Sequence, residues 1–302
     1  MTTYQINNFS KTITALKTPL IFIVVLSHVN NIYNDIIFFR EVITIITKAV
    51  IPTFFIISGY FLLKGSNSFT LQIYKTKLKS RFKTLFIPYI FWNIFPILLP
   101  ITLCLITSLL EFNIDKISSY LKEVLINDSF NPYKLFWDKV RDANGFYPAN
   151  FPMWYIRDLM VAILISPFPF ILIKYLKIYS LLILFTLLYL NLPFLNAIFF
   201  TSLGMFLSIN KVDFIELAHK RRWIILPVFI VLFVWLYSDM SIHIIERIYL
   251  LIGPFALFSI ISITPAKLFS FFYGLSKYSF FVYAIHATYI YRIDSKLPKL
   301  AY

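Results

Sequence analysis

The stretch ITIITKAVIPTFFIISGYFLL occupies residues 43–63 and decides the fold class of this chain. Its 21 residues include a single charged side chain, Lys48. Because a helix rises about 1.5 Å per residue, such a stretch can cross the hydrocarbon core of a bilayer, which is about 30 Å thick. Two small residues near its end, Ser58 and Gly59, would let another helix backbone approach closely. We therefore predict a membrane-spanning helix that packs tightly against a neighbour.

Apolar stretches of this kind recur along the whole chain. Hydrophobic residues make up 59% of the 302 positions and charged residues only 14%, with a mean hydropathy of +0.77, whereas a soluble domain carries about 25% charged residues. The sequence predicts an all-α fold, a polytopic transmembrane helix bundle of about nine to ten helices that forms one membrane-embedded domain over residues 1–302. The nine predicted spans are 16–33, 43–63, 84–110, 152–173, 178–191, 194–209, 223–238, 245–263 and 271–291.

The distribution of charge predicts the orientation of these spans. If the N-terminus is cytoplasmic, the segment 64–83 lies inside, and it carries six basic residues and no acid. The longest loop, 111–151, then lies outside, with six acids against five bases. Cytoplasmic loops of membrane proteins collect Lys and Arg in this way. The same rule accounts for the net charge of +14, so we expect the lipid bilayer and not nucleic acid as the partner of these bases.

The cysteine content limits the chemistry that is available. Cys104 is the only cysteine and lies in an apolar stretch. No disulfide framework or thiolate metal site can form from one cysteine. We predict no bound metal.

The first span carries two ionisable residues on one helix face. Lys17 and His28 are eleven residues apart, which at about 100° per residue returns to within about 20° of the same face, with an axial separation of about 16 Å. Ionisable groups inside a membrane are costly and are often functional. His28 could act as a general base toward a hydroxyl, or it could mark the outer end of the span and hydrogen-bond to a neighbouring helix. The spacing does not decide between these interpretations.

The fourth and last spans contribute further polar residues. Trp154, Arg157 and Asp158 open the fourth span, where Arg157 and Asp158 could pair structurally or could orient a substrate. In the last span, Ser279, Tyr283 and His286 follow at spacings of four and three and therefore share one face. His286 could anchor a hydrogen bond or be a second titrating group, and the spacing does not decide between these roles.

The basic segment 64–83 also has two interpretations. Its charge fits cytoplasmic topology and attraction to anionic lipid headgroups. It could also bind a phosphorylated donor such as coenzyme A through charge-assisted hydrogen bonds, with Arg81 among its members.

Taken together and in order, these segments resemble acyltransferase family 3, the membrane O-acyltransferases that acylate bacterial cell-surface glycans and related sugars. A basic residue, ten residues and a histidine occur in the first span (17–28). The other motifs that carry the resemblance are FFIISGYFL at 54–62, a basic loop running into LFIPYIFW at 85–92, MWYIRDL at 153–159 and LSKYSFFVYAIH at 275–286. Lys17 stands where the family usually has Arg, and we expect one span fewer than in most relatives.

The resemblance implies an enzyme that moves an acyl group, most often acetyl, from cytoplasmic acyl-CoA to a sugar hydroxyl of a surface polysaccharide or its lipid-linked precursor. It implies a multi-pass protein of the bacterial inner membrane with no bound cofactor and acetyl-CoA as a donor substrate. On this interpretation His28 and Lys17 are catalytic. The expected substrate-binding residues are Arg81, Trp154, Arg157, Asp158, Ser279, Tyr283 and His286.

Two other functions remain open at the level of sequence. A transporter or flippase of lipid-linked sugars would also contain several spans and intramembrane charges, although such proteins often have paired halves with broken helices. An inactive scaffold in a glycan-assembly complex is the second alternative, favoured by Lys17 and by the short C-terminal region.

Overall fold

The computed structural model describes residues 9–28, 37–65, 70–110, 136, 139–140, 146–148, 150–239 and 242–294. Most of the predicted outer loop 111–151 therefore lies outside the described residues. The part of the chain that the structure describes is helical, apart from one two-stranded antiparallel ladder in which Lys139 pairs with Tyr147 and Val140 with Phe146. The predicted all-α helical membrane bundle is confirmed.

The helices follow in chain order. They are α1 (Phe9–His28), α2 (Ile37–Leu63), α3 (Leu71–Arg81), a π-helical segment (Phe82–Phe86), α4 (Ile87–Leu110), α5 (Trp154–Leu164), α6 (Pro167–Leu176), α7 (Ile178–Leu187), α8 (Leu195–Ile209), α9 (Phe214–Lys220), α10 (Arg222–Ser238), α11 (His243–Ile263), α12 (Ala266–Leu275) and α13 (Ser279–Asp294). Short 3-10 turns at Phe151–Met153, Leu188–Leu190 and Ser276–Tyr278 precede α5, follow α7 and join α12 to α13. The two strands are β1 (Lys139–Val140) and β2 (Phe146–Tyr147).

Helix α2 is the centre of the bundle. It packs most extensively against α8, and it also contacts α11 and α1. Its buried side chains include Ile45, Val50, Phe55, Ile56 and Leu62. The stretch that predicted the fold class is therefore also the helix around which the others assemble.

Two glycines set the distance between α2 and α8. A Cβ on Gly59 would lie 2.0 Å from the carbonyl oxygen of Thr201, and a Cβ on Gly204 would lie 2.1 Å from the carbonyl oxygen of Ile56. Both obstructing atoms belong to backbone, so larger residues could not be accommodated by rotating a side chain. The close approach predicted at Ser58-Gly59 is confirmed, and its partner is α8.

The described helices differ in whether they are long and apolar enough to cross a membrane. Three described helices are long and apolar enough to cross a membrane, namely Phe9–His28, Phe38–Leu63 and His243–Ile263, and the number rises to five if two bent pairs each count as one span. Helix α4 has 24 residues and no charged side chain. Other apolar helices, such as Arg222–Ser238, are shorter. The described helices thus include fewer full-length spans than the nine predicted.

Breaks within the predicted spans explain part of this difference. The sequence predicted one span over 152–173, but the structure has α5 and α6 bent by 58°. Pro167 begins α6, and a proline cannot donate the backbone hydrogen bond that would continue α5. The predicted span 271–291 is likewise divided, by the 3-10 turn Ser276–Tyr278.

Candidate active site

A cavity of about 1130 Å³ lies between α1, α2, α3, α5 and α13. The wall contributed by α1 is a stripe of residues spaced three or four apart, from Ser10 through Lys17 and Val24 to His28. Residues at this spacing share one helix face. The structure therefore brings Lys17 and His28 to one cavity.

The cavity follows most of the length of α1 and α2. It is lined along α2 from Arg40 to Phe61, an axial distance of about 32 Å at 1.5 Å per residue. Since α1 and α2 run antiparallel, Lys17 lies toward one end of the cavity, here called the Lys17 end, and His28 and Arg40 lie toward the other, the His28 end. The cavity is long enough to reach across the hydrocarbon core of a bilayer.

The Lys17 end is basic. Lys77 and Arg81 of α3 line it together with Lys17, and Arg81 is close enough to Lys17 for the two charges to repel each other. Burial lowers the pKa of the Arg81 guanidinium, which nevertheless stays charged near neutral pH. No carboxylate occurs among the described lining residues. Clustered cations without an acidic partner in the lining favour an anionic ligand.

Polar groups of α2 and α5 also line the cavity near its Lys17 end. Ser58 and Tyr155 both line it, and Tyr155 interacts with Ser58 and with the charge of Arg81. The Tyr155 ring also lies 4.7 Å from the ring of Phe55. Tyr155 was not among the predicted site residues, although it lies in the MWYIRDL motif beside Trp154.

The His28 end holds a second histidine. The imidazole centroids of His28 and His286 lie 5.2 Å apart, although the two residues come from α1 and α13. His286 is 5% exposed and, unlike His28, is not among the cavity-lining residues. The sequence predicted both residues for the site but not that they would adjoin.

Further basic residues lie on α2 near this end. Arg40 and Lys48 line the cavity with the hydroxyls of Thr44 and Thr47. Lys48 forms an ion pair of 2.7 Å with Glu246 of α11. This pair ties α2 to α11 at the cavity wall.

Three other predicted site residues also reach the cavity. Trp154, Ser279 and Tyr283 line it. The hydroxyl of Thr18 donates to the carbonyl oxygen of Phe272 at 2.8 Å and lies 3.4 Å from the Ser279 hydroxyl. The Tyr283 hydroxyl donates to the carbonyl oxygen of Pro152. These bonds hold α1 against α12 and α13, and α13 against the turn before α5.

Arg157 and Asp158 are placed differently. Their side chains form a buried pair in which Arg157 Nε donates to Asp158 Oδ1 at 2.9 Å. Arg157 Nη1 donates to the carbonyl oxygen of Phe136, also at 2.9 Å. Neither residue belongs to the described cavity lining. Their predicted substrate-binding role stays a prediction, and the observed bonds hold the start of α5 to the segment around Phe136.

A buried pair of asparagines, Asn93 and Asn150, holds the turn before α5 in place. Neither residue was among the predicted site residues. Asn150 donates through its backbone N–H to Asn93 Oδ1 at 2.9 Å, and through Nδ2 to the carbonyl oxygens of Trp92 and Ala284 at 2.8 and 3.2 Å. The pair therefore joins α4 and α13 to the turn before α5. Asn93 could have been found from the sequence, because it is a polar residue within the apolar predicted span 84–110.

Metal chemistry finds no support among the described residues. No group of three or more His, Cys, Asp or Glu side chains there could hold a metal ion. His28 lines the cavity and adjoins His286, so proton transfer is a chemistry that this arrangement allows.

Comparison with known proteins gives one match. Residues 11–301 match the family described as an acyltransferase domain, that of acyltransferase 3. No curated protein and no solved structure matches the chain. The matched region includes every described residue that lines the cavity except Ser10.

Proposed function

The chain belongs to the acyltransferase 3 family and is a membrane acyltransferase, and we propose that it transfers an acyl group, in the first instance acetyl, from cytoplasmic acyl-CoA to a sugar hydroxyl. The acceptor would be a surface polysaccharide or its lipid-linked precursor at a bacterial inner membrane. The observation that carries the proposal is that Lys17 and His28, on one face of α1, line one cavity. A donor held at one end and an acceptor held at the other could meet inside it.

The Lys17 end suits the donor. Coenzyme A carries several phosphates, which bind well to Lys and Arg through charge-assisted hydrogen bonds. Lys17, Lys77 and Arg81 provide three cations there. Since Lys17 and His28 are separated by about 16 Å along the helix axis, the flexible pantetheine arm would extend along the cavity and bring the thioester toward His28.

His28 would act as the general base. It removes the proton of the sugar hydroxyl, and the hydroxyl oxygen attacks the thioester carbonyl carbon. The carbon–sulfur bond then breaks, and the leaving thiolate takes the proton from the His28 imidazolium. The products are the acylated sugar and coenzyme A, and His28 returns to its neutral form.

The acceptor would bind at the His28 end. Trp154 lines the cavity and presents an aromatic surface of the kind that packs against sugar rings. Ser279 also lines the cavity, beside Thr18 and so nearer to Lys17, and offers the substrates a hydroxyl for hydrogen bonding. Arg157 and Asp158 would act indirectly, by holding the start of α5 on which Trp154 stands. The cytoplasmic orientation of the N-terminus is part of the proposal, because it puts the Lys17 end on the side where acyl-CoA occurs.

Replacement of His28 by alanine tests the assignment. His28→Ala should abolish acylation of the surface glycan in cells, measured as the loss of one acyl group per repeating unit by mass spectrometry, while the protein still inserts in the membrane. His243→Ala is the matched control, since His243 is exposed at the start of α11 and lies outside the cavity lining. Retained acylation in His28→Ala would refute the role of His28. Transport of the glycan without acylation would favour the flippase alternative.

A further inference from the structure

We propose that His286 is a positioning residue for His28, accepting through Nε2 a hydrogen bond from the His28 imidazole. This inference deepens the proposed function and rests on it. It differs from substrate binding, the role that the sequence predicted for His286, because it needs no contact between His286 and the substrate.

The hydrogen bonding of His286 fixes which of its nitrogens carries the proton. Its Nδ1 lies 2.6 Å from the backbone carbonyl oxygen of Tyr283. A carbonyl oxygen can only accept, so Nδ1 must donate. In the neutral ring Nε2 then carries a lone pair and is an acceptor.

That acceptor is buried and has no partner within the described part of the chain. Nε2 of His286 makes no hydrogen bond to any described residue, and the whole residue is only 5% exposed. Buried polar atoms in proteins are nearly always hydrogen-bonded, so an unsatisfied one calls for an explanation. Among the described residues, the nearest titratable ring is that of His28, 5.2 Å away between centroids. At this centroid separation, rotation of the rings can bring one nitrogen of each imidazole within hydrogen-bond distance of the other.

In many enzymes a histidine general base is oriented by a hydrogen bond from its second ring nitrogen to a neighbouring acceptor, and His286 would be that acceptor for His28. His28 lines the cavity, whereas His286 contacts His28 and does not line the cavity. When His28 takes a proton from the acceptor hydroxyl, both of its nitrogens become donors. One N–H then faces the reacting atoms, and the other can donate to His286 Nε2. The bond orients the His28 ring and stabilises its cationic form without placing a second charge in the membrane, where charges are costly.

The supports of His286 come from its own helix and from the turn before α5. Its own helix provides Tyr283, whose carbonyl oxygen receives the Nδ1 proton and whose hydroxyl donates to Pro152 O in the turn before α5. Asn150 donates to the carbonyl oxygen of Ala284, two residues before His286. These bonds keep α13 in place, so the position of His286 is set independently of any substrate.

Two conservative replacements distinguish the proposed bond to His28 from the observed bond to the Tyr283 carbonyl oxygen. In His286→Gln the amide can present an oxygen near the original Nε2, so an acceptor for His28 is kept. In His286→Asn the shorter amide can present its NH₂ near the original Nδ1, so the bond to the Tyr283 carbonyl is kept and the acceptor is lost. We expect the glutamine variant to retain substantial activity, and the asparagine variant to lose about tenfold to a hundredfold in kcat with unchanged KM for acyl-CoA and acceptor.

The experiment measures kcat and KM of acetyl transfer by the purified full-length protein, with acetyl-CoA and the glycan that the wild-type protein acylates. Thermal denaturation in the same detergent reports folding of each variant. The proposal is refuted if asparagine preserves kcat and glutamine lowers it, because this order identifies the bond to Tyr283 as the important one. It is also refuted if both variants keep full kcat. If the wild-type protein itself transfers no acyl group, or if His28→Ala is fully active, it is the proposed function that fails.

Discussion

Replacing Gly59 by alanine should force α2 and α8 apart. The added Cβ would lie 2.0 Å from the carbonyl oxygen of Thr201 and 2.8 and 2.9 Å from the carbonyl carbon and Cα of the same residue. Real Cβ atoms are not found closer than 3.0 Å to such neighbours. The helices must therefore separate locally by at least 1.0 Å, the difference between these two distances. Because Ser58, the preceding residue, lines the cavity, the displacement also moves the cavity wall.

The expected destabilisation follows from two opposing terms. Overpacking a well-packed contact costs about 1–3 kcal/mol, and the upper part of this range applies because the obstructing atoms are backbone. Alanine gains up to about 1 kcal/mol over glycine in a helix interior. We expect a net loss of about 2 kcal/mol, and the same direction of change for Gly204→Ala, whose Cβ would lie 2.1 Å from Ile56 O.

Thermal denaturation of the detergent-purified protein, followed by size-exclusion chromatography, measures this loss. Gly59→Ala should lower the melting temperature by several degrees. Gly274→Ala is the matched control, since Gly274 lies in α12 and a Cβ there would meet nothing within 4 Å. It should leave the melting temperature unchanged or raise it. Equal melting temperatures for Gly59→Ala and Gly274→Ala would refute the close packing of α2 against α8.

Three further predictions follow from named contacts. Gly253→Ala should destabilise the protein because its Cβ would lie 2.5 Å from the Cβ of Ala49, and adding Ala49→Gly should restore part of the melting temperature. Asn150→Ala removes two buried hydrogen bonds made by the Asn150 side chain, so the free energy of unfolding should fall by about 1–3 kcal/mol and the melting temperature should fall with it. An unchanged melting temperature would contradict the role of Asn150 in holding α4 and α13 together. Arg81→Gln should raise KM for acetyl-CoA about tenfold or more in steady-state assays. Lys83→Gln is the control and should leave this KM unchanged, because the Lys83 side chain is exposed and lies outside the described cavity lining. Equal KM values for these two variants would contradict donor binding by Arg81.

The features that follow from one helix were predictable from the sequence. The apolar character of α2 and its small residues at Ser58-Gly59 predicted a tightly packed membrane helix, and α8 provides the expected close contact. The eleven-residue spacing of Lys17 and His28 predicted that they share a face, and both line the cavity. Periodicity is a property of the local chain, so it can be read without knowledge of the neighbours.

The features that depend on two distant elements were not predictable in this way. Nothing in the sequence of α1 or α13 indicates that His28 and His286 would lie with their centroids 5.2 Å apart. The bend of 58° between α5 and α6 depends on whether neighbouring helices tolerate a break at Pro167, which hydropathy does not report. A charge pair at a span boundary fits either a structural or a substrate-orienting role, so the sequence alone could not choose between them for Arg157 and Asp158. The bonds of Arg157 to Asp158 and to the carbonyl oxygen of Phe136 depend on the fold.

The most direct test of the account is acyl transfer by the purified protein. Wild-type protein incubated with radiolabelled acetyl-CoA and glycan acceptor should release coenzyme A only when the acceptor is present, with the label recovered on a sugar hydroxyl, and His28→Ala should show neither. Acceptor-independent release by wild-type and His28→Ala alike, or label transferred equally by both, would contradict the claim that the cavity joining Lys17 to His28 is an acyltransferase active site.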